Sequence, residues 1–302
     1  MQSSTVRAWT AALVCAVAAD GFALSPRRVG RARRIRRSCD DGFEEAGAPG
    51  GALASDAAHP SISVTMITRC RPRFLREALR SVARQDYPLE RVEVLVVDDS
   101  PEDDGPSLLE FLRDSPLTVR YVRPSDVDAR CRLGRKRNAA VRRARGDLVF
   151  VWDDDDYFGP KRLATQAEAL ADGGAVLLGE DEPLTFFYYD AADGAFRSTS
   201  SCSFAQPCSM AYERKLWGTE ATYPDDLDAF EDIDFFERLL FAGVRVTTAH
   251  VPWVRTRHAH NVVQDAQGDG EESVVDADVV ARRCDLPDST VAFLLGLPRE
   301  AS

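Results

Sequence analysis

Leu148-Val149-Phe150-Val151-Trp152 runs directly into Asp153-Asp154-Asp155-Asp156, and upstream Val94-Leu95-Val96-Val97 runs into Asp98-Asp99. Uninterrupted apolar runs of this length, bounded by polar residues, are what a strand buried on both faces of a parallel sheet requires. Working outward, the apolar run Ile62 to Ile67 is followed by Leu75, Leu79 and Val82 at helical spacing and then by the run Val92 to Val97. A short helix around Leu108 to Leu112, a strand Thr118 to Val122 and a helix Gly134 to Ala144 complete the rhythm. Strand, helix, strand at this spacing predicts an α/β fold with a mainly parallel central sheet and helices on both faces. Ligands on such sheets bind at the carboxyl ends of the strands, where both acid clusters lie. The second half is less regular. Leu184 to Asp190 alternates weakly, Glu231 to Ala242 reads as a helix with Ile233, Phe236 and Leu240 inward, and Val244 to Thr248 and Val251 to Arg255 suit further strands.

In an extended segment Asp153 and Asp155 share one side while Asp154 and Asp156 share the other. Two like charges about 5 Å apart repel by roughly 1 kcal/mol in water and by more when partly buried, so an Asp-x-Asp pair calls for a cation. Mg²⁺ or Mn²⁺, held by one or two carboxylates with phosphate oxygens in the remaining positions, suits it. Asp232 stands in the first turn of its helix, on the flank of the apolar stripe, as a candidate general base. Acids in a first turn also simply complement the helix dipole. Alternation puts His258 and His260 on one face, and either imidazole suits a metal shell. Arg76, Arg80 and Arg84 form a stripe read as a solvated helix face. Trp217 and Trp253 suit either stacking on an acceptor sugar or packing.

The chain has 302 residues, 44% apolar and 29% charged, with 38 basic and 49 acidic side chains. Beyond Asp56 lie 30 basic and 43 acidic residues, a net charge of −13 that argues against nucleic acid as a partner. An anionic ligand therefore needs a bridging metal. The apolar run Trp9 to Ala19 is about half the roughly 20 residues of a membrane span, which predicts a cleaved secretory signal over positions 1–23 and no stable membrane span. Seven arginines between Arg27 and Arg37 and an aperiodic stretch to residue 59 follow as a linker. A basic segment behind a signal peptide also resembles the two-part leaders of secondary plastids, so the secretory pathway and such a plastid are both expected destinations. Cys202 and Cys208 are close enough in sequence for a loop disulfide, and no Cys and His set stands at zinc-site spacing.

Taken in order, Gln85-Asp86-Tyr87-Pro88, Val96-Val97-Asp98-Asp99-Ser100, Lys136-Arg137-Asn138-Ala139, Ala144-Arg145-Gly146-Asp147 and Trp152 to Tyr157 resemble glycosyltransferase family 2 of the GT-A fold. Glu231-Asp232 is similar to the family's Glu-Asp signature, and Arg257-His258-Ala259-His260-Asn261 to a segment late in many members. The resemblance implies a GT-A domain over 60–262, with 263–302 as a C-terminal tail. It implies that Asp98 or Asp99, with Thr68 and Arg69, holds the base of a nucleotide sugar. Arg137 would support base or phosphate, Asp153 the ribose or metal, Asp155 the metal with His258 as a further ligand, and Asp232 the proton transfer. The implied reaction is metal-dependent transfer of one sugar, with inversion, from a nucleotide-diphosphate sugar such as a UDP-sugar to a saccharide, lipid or protein hydroxyl. A catalytically silent sugar- or nucleotide-binding relative of the same fold is the alternative. The sequence departs from the family where the first strand ends Thr68-Arg69-Cys70-Arg71 and where Ser100 replaces a glycine.

Overall fold

The computed structural model describes residues 42–46, 53, 55–56, 59–125, 130–179, 184–192, 194–201, 206–251, 253–257 and 272–296. The expected leader, Cys202 and His258 to Asn261 lie outside the described residues. The strands are β1 (Phe43–Ala46), β2 (Ile62–Thr68), β3 (Val92–Asp98), β4 (Thr118–Pro124), β5 (Leu148–Val151), β6 (Asp156–Phe158), β7 (Ala175–Gly179), β8 (Leu184–Asp190), β9 (Ala195–Ser201), β10 (Gln206–Glu213), β11 (Val246–His250), β12 (Trp253–Arg257) and β13 (Glu272–Val274). The helices are α1 (Pro72–Ala83), α2 (Gly105–Phe111), α3 (Leu133–Arg143), α4 (Arg162–Ala169), α5 (Glu231–Phe241), α6 (Ala277–Cys284) and α7 (Asp288–Leu295).

The larger sheet has the order β1-β4-β3-β2-β5-β10-β7-β11, and the smaller one β13-β9-β8-β12-β6. β4, β3, β2 and β5 run parallel, as their apolar runs require. Alternation sorts their side chains into two cores. Ile62, Val64, Met66, Val94, Val96, Phe150 and Trp152 meet Leu75 and Leu79 of α1 and Leu163 of α4. Leu95, Val97, Val149 and Val151 meet Ala139 and Ala140 of α3 and Phe235 and Leu239 of α5 on the opposite face. The register pairs Thr68 with Asp98, and the Trp152 amide donates to the Thr65 carbonyl at 3.1 Å, so the three strand ends open side by side. Among the described residues no helix is long and apolar enough to cross a membrane.

Several elements depart from the pattern read in the sequence. The inward face of α5 is Glu231, Phe235, Phe236, Leu239 and Leu240, with Ile233 only half-buried. Burying Glu231 rotates the helix so that its i, i+4, i+8 row faces α3. β1 arises within the aperiodic stretch because Arg120 grips Glu45 through Nε at 2.6 Å and Nη2 at 2.8 Å, while its Nη1 neutralises the buried Glu93 at 2.9 Å. The segment read as a tail carries β13, α6 and α7, and Thr290 of α7 donates to buried Glu77 of α1 at 2.5 Å. Arg80 and Arg84 of the supposed solvated stripe also reach Glu77, at 3.0 and 3.5 Å. No local periodicity announces the pairing of Arg120 with Glu45 or of Thr290 with Glu77.

Both tryptophans are packing residues. Trp253 is buried edge-on against Phe158, and Trp217 donates its indole N–H to Asn138 Oδ1 at 2.8 Å. Asn138 accepts in addition from the Tyr223 amide and donates to the Tyr223 carbonyl and to Asp225. It thereby fixes the loop that leads into α5. Asn138→Ala leaves the Trp217 indole and the Tyr223 amide without their acceptor, and unpaired buried donors cost roughly 1–3 kcal/mol each. Urea unfolding should show a loss of about 2–4 kcal/mol, and a loss below about 0.5 kcal/mol would show that Asn138 does not hold the loop.

Candidate active site

At the end of β2 and β3 the two acids expected to hold a base have separate roles. Asp98 is consumed within the protein: its Oδ1 accepts from the Ser100 amide at 2.8 Å and its Oδ2 from the Tyr121 hydroxyl at 2.5 Å. Ser100 in place of glycine thus supplies a hydroxyl that donates to the same Oδ1. Asp99 accepts from Lys136 Nζ at 2.8 Å, from Arg69 Nη1 at 3.1 Å and from the Cys131 amide at 2.8 Å. Lys136 also donates to the Thr68 carbonyl at 3.1 Å, which binds the first strand end to the helix α3. The unusual Thr68-Arg69-Cys70-Arg71 end turns through Cys70 at φ 54°, a left-handed conformation, and the Cys70 amide is held by Ser100 Oγ at 2.7 Å. Of the expected base-holding group, Arg69 and Asp99 therefore stand together, and Asp98 supports them from behind.

The acid run does not alternate. β5 ends at Val151, and the chain turns, with the Asp156 amide donating to the Asp153 carbonyl at 3.3 Å, before β6 begins in the second sheet. A turn breaks the period of two, so Asp153 and Asp155 do not share a side. Asp154 and Asp155 face Arg71, at 3.0 and 3.1 Å, and Asp154 also accepts from Thr68 Oγ1 at 2.6 Å. Asp153 and Asp156 instead approach Cys208 of β10, with one ligand atom from each of the three lying within 4.8 Å of the others. Burial, reinforced by Asp155, pushes the Asp154 carboxyl up to about 6 against the pull of Arg71. Burial, with Asp155 and Asp153 beside it, likewise raises Asp156.

Arg137 of α3 is the hub of the other half. Its guanidinium is buried, donating through Nε to Glu231 at 2.7 Å and through Nη2 to Asp153 at 3.1 Å, while Nη1 is buried without a partner among the described residues. Against the burial that would discharge it, Glu231 and Asp153 hold Arg137 firmly protonated. Asp232, next along the helix, accepts only from the Ile233 amide of its own first turn in this network, at 2.9 Å. Burial, then repulsion from Glu231, pushes its carboxyl up to about 6. Arg137 ties Asp153 and Glu231 into one buried ion-paired group, with Asp232 the next residue along the helix, and His258 lies outside the described residues. Arg71, Glu231, Arg255 and Cys208 were not singled out as site residues. Arg255 of β12 faces the run from the second sheet, its Nε 3.7 Å from Asp156. Arg71, inside the departure from the family pattern, and Glu231, in the Glu-Asp pair, carried a signal, whereas Arg255 and Cys208 carried none.

Residues 63–180 match the model of Glycosyl transferase family 2. Over these residues the chain is similar to the family 2 glycosyltransferases. Poly(ribitol-phosphate) beta-N-acetylglucosaminyltransferase TarS from Staphylococcus aureus is 25% identical over 179 residues, which are 56% of this chain and 30% of TarS. The present chain thus spans less than a third of that relative. The structure of TarS residues 1–349 in complex with UDP-GlcNAc superposes with a TM-score of 0.51 at 20% identity, over 78% of this chain and 70% of the other. The mannosyltransferase PcManGT from Pyrobaculum calidifontis, in complex with GDP-Man and Mn²⁺, gives 0.52 at 21% identity over 70% and 62%. These likenesses show that the fold is GT-A.

The raised carboxyls have a consequence for stability. A carboxyl held above its unfolded value binds its proton more tightly when folded, so its contribution is fully present below the unfolded value near 4 and is lost as pH rises through about 6. Asp154→Asn should therefore flatten the decline of the urea midpoint between pH 4 and 7. An unchanged pH profile in this variant would show that Asp154 is not the titrating group.

Proposed function

We propose that this domain transfers one sugar, with inversion, from a nucleotide-diphosphate sugar, most simply a UDP-sugar, to an acceptor hydroxyl in a metal-dependent reaction. The observation that carries the reading is the buried Arg137 bridge, which fixes Asp153 and the Glu231-Asp232 turn in a single cleft at the strand ends. TarS in complex with UDP-GlcNAc supports a uridine nucleotide as donor, and PcManGT in complex with GDP-Man and Mn²⁺ supports a divalent cation.

The residues fit such a cation. Asp153 is partly exposed, and the buried Asp156 has an Oδ2 without a partner among the described residues, so two carboxylates converge with lone pairs to spare. Asp155, expected as the principal ligand, is engaged by Arg71 instead. When bound, Mn²⁺ or Mg²⁺ supplies charge neutralisation to the departing diphosphate. Arg69 and Asp99 then line the pocket for the base, and the unpartnered Arg137 Nη1 is a donor for ribose or phosphate oxygen. Asp232 accepts the acceptor's proton: a carboxyl raised to about 6 is still ionised at neutral pH and is a stronger base than an ordinary aspartate. Proton acceptance and departure of the diphosphate occur on opposite sides of the transferred carbon, as inversion demands.

Asp232→Asn keeps the shape of the site and removes the base. Turnover with a UDP-sugar and Mn²⁺ should fall about 10²- to 10⁴-fold while donor affinity changes little. If Asp232 only complements the helix dipole, the variant loses about 0.3–1 kcal/mol of stability and keeps its activity, which would remove it from the mechanism. In the wild type kcat/KM should decline below about pH 6 as Asp232 is protonated. A profile flat to pH 5 contradicts this role. Absence of both transfer and metal-dependent donor hydrolysis, with UDP binding retained, would identify a silent binding protein.

A further inference from the structure

The turn after β5 and the irregular start of β10 bring a thiol up to the two carboxylates that would hold the cation. β10 shifts register against β7 between Gln206 and Ala211, and Cys208 lies inside that irregularity. Its thiol is free and buried, with its sulfur within 4.8 Å of ligand atoms from Asp153 and Asp156. Asp156 is 2% exposed and its Oδ2 has no hydrogen-bond partner among the described residues. A carboxylate oxygen shielded from water and unpaired in this way costs stability unless a cation or a proton satisfies it. Arg255 lies beside the same group, its Nε 3.7 Å from Asp156 Oδ1.

We propose that Asp153, Asp156 and Cys208 form a mixed carboxylate–thiolate site that takes a borderline divalent cation such as Zn²⁺ or Co²⁺ in preference to Mg²⁺. The inference rests on the functional reading above only in sharing Asp153 and Asp156. Two carboxylates and one thiolate are the donor set of zinc-type chemistry, whereas Mg²⁺ demands oxygen ligands. The charges also balance. Binding replaces the thiol proton, which leaves to solvent, so three anionic ligands face one divalent ion and the Arg255 guanidinium. Arg137 is already matched by Glu231. A thiolate in the shell distinguishes this site from one built on Asp153 and Asp155 alone.

Co²⁺ titration of the full chain tests the proposal without reference to activity, because a cobalt–thiolate bond gives a near-ultraviolet charge-transfer band that cobalt–carboxylate bonds do not. The wild-type protein should develop this band at one equivalent of Co²⁺, and Zn²⁺ should abolish it while excess Mg²⁺ should not. Cys208→Ser should lose the band and Cys131→Ser, at the base pocket, should keep it. Asp156→Asn retains the thiol and should weaken Co²⁺ binding at least tenfold, which covers the case where Cys208→Ser fails to fold. No band in the wild type, a band that survives Cys208→Ser, or unchanged binding in Asp156→Asn overturns the proposal. Sugar transfer by the wild-type protein with Mn²⁺, measured separately, bears on the proposed function and not on this site.

Discussion

A guanidinium enclosed by protein must be neutralised where it stands, and that constraint on Arg137 organises the whole cleft. Removing one partner of a buried ion pair leaves an uncompensated charge at a cost of about 3–5 kcal/mol. Arg137 accordingly binds Glu231 and Asp153 together, though they are carried by elements far apart in sequence. Glu231 turns inward because of it, which rotates α5 and leaves Asp232 at the edge of the cleft. Asp153 is drawn toward α3 because of it, which orients the turn after β5. Asp153 and the turn that carries Asp232 are thus both positioned by Arg137.

A second charged cluster sits beside the first without merging with it. Arg71 holds Asp154 and Asp155, and Thr68 ties Asp154 to the end of β2. Four consecutive aspartates are tolerated because each has a different environment: Arg137 for Asp153, Thr68 and Arg71 for Asp154, Arg71 for Asp155, and Arg255 across from Asp156. The second sheet contributes the last of these, so its packing against the strand ends completes the electrostatics of the site.

The parallel sheet was legible because its strands are buried on both faces and show unbroken apolar runs, and the acids after Val97 and Trp152 marked the strand ends. Arg137 and the Glu231-Asp232 pair were legible through the order of family-like motifs. The pairing of Asp153 with Asp155 was misread because side-chain alternation presumes an extended chain, and the chain turns once Trp152 is passed. β1, α6 and α7 were not legible, since they are held by pairs such as Arg120 with Glu45 and Thr290 with Glu77, whose partners are about 75 to more than 200 positions apart. Cys208 gave no sign because only the irregular register of β10 sets it beside the aspartates.

In the proposed reaction the Arg137 bridge acts, through Glu231, on a donor site that Glu231 itself does not contact. Calorimetric titration of UDP with Mn²⁺ into Glu231→Gln tests it most directly. With Glu231 neutral, the buried Arg137 charge falls wholly on Asp153 and withdraws that carboxylate from the cation. Affinity for UDP with Mn²⁺ should drop at least tenfold relative to the wild type while the fold, followed by circular dichroism, is kept. An affinity unchanged in a folded Glu231→Gln protein would contradict the account.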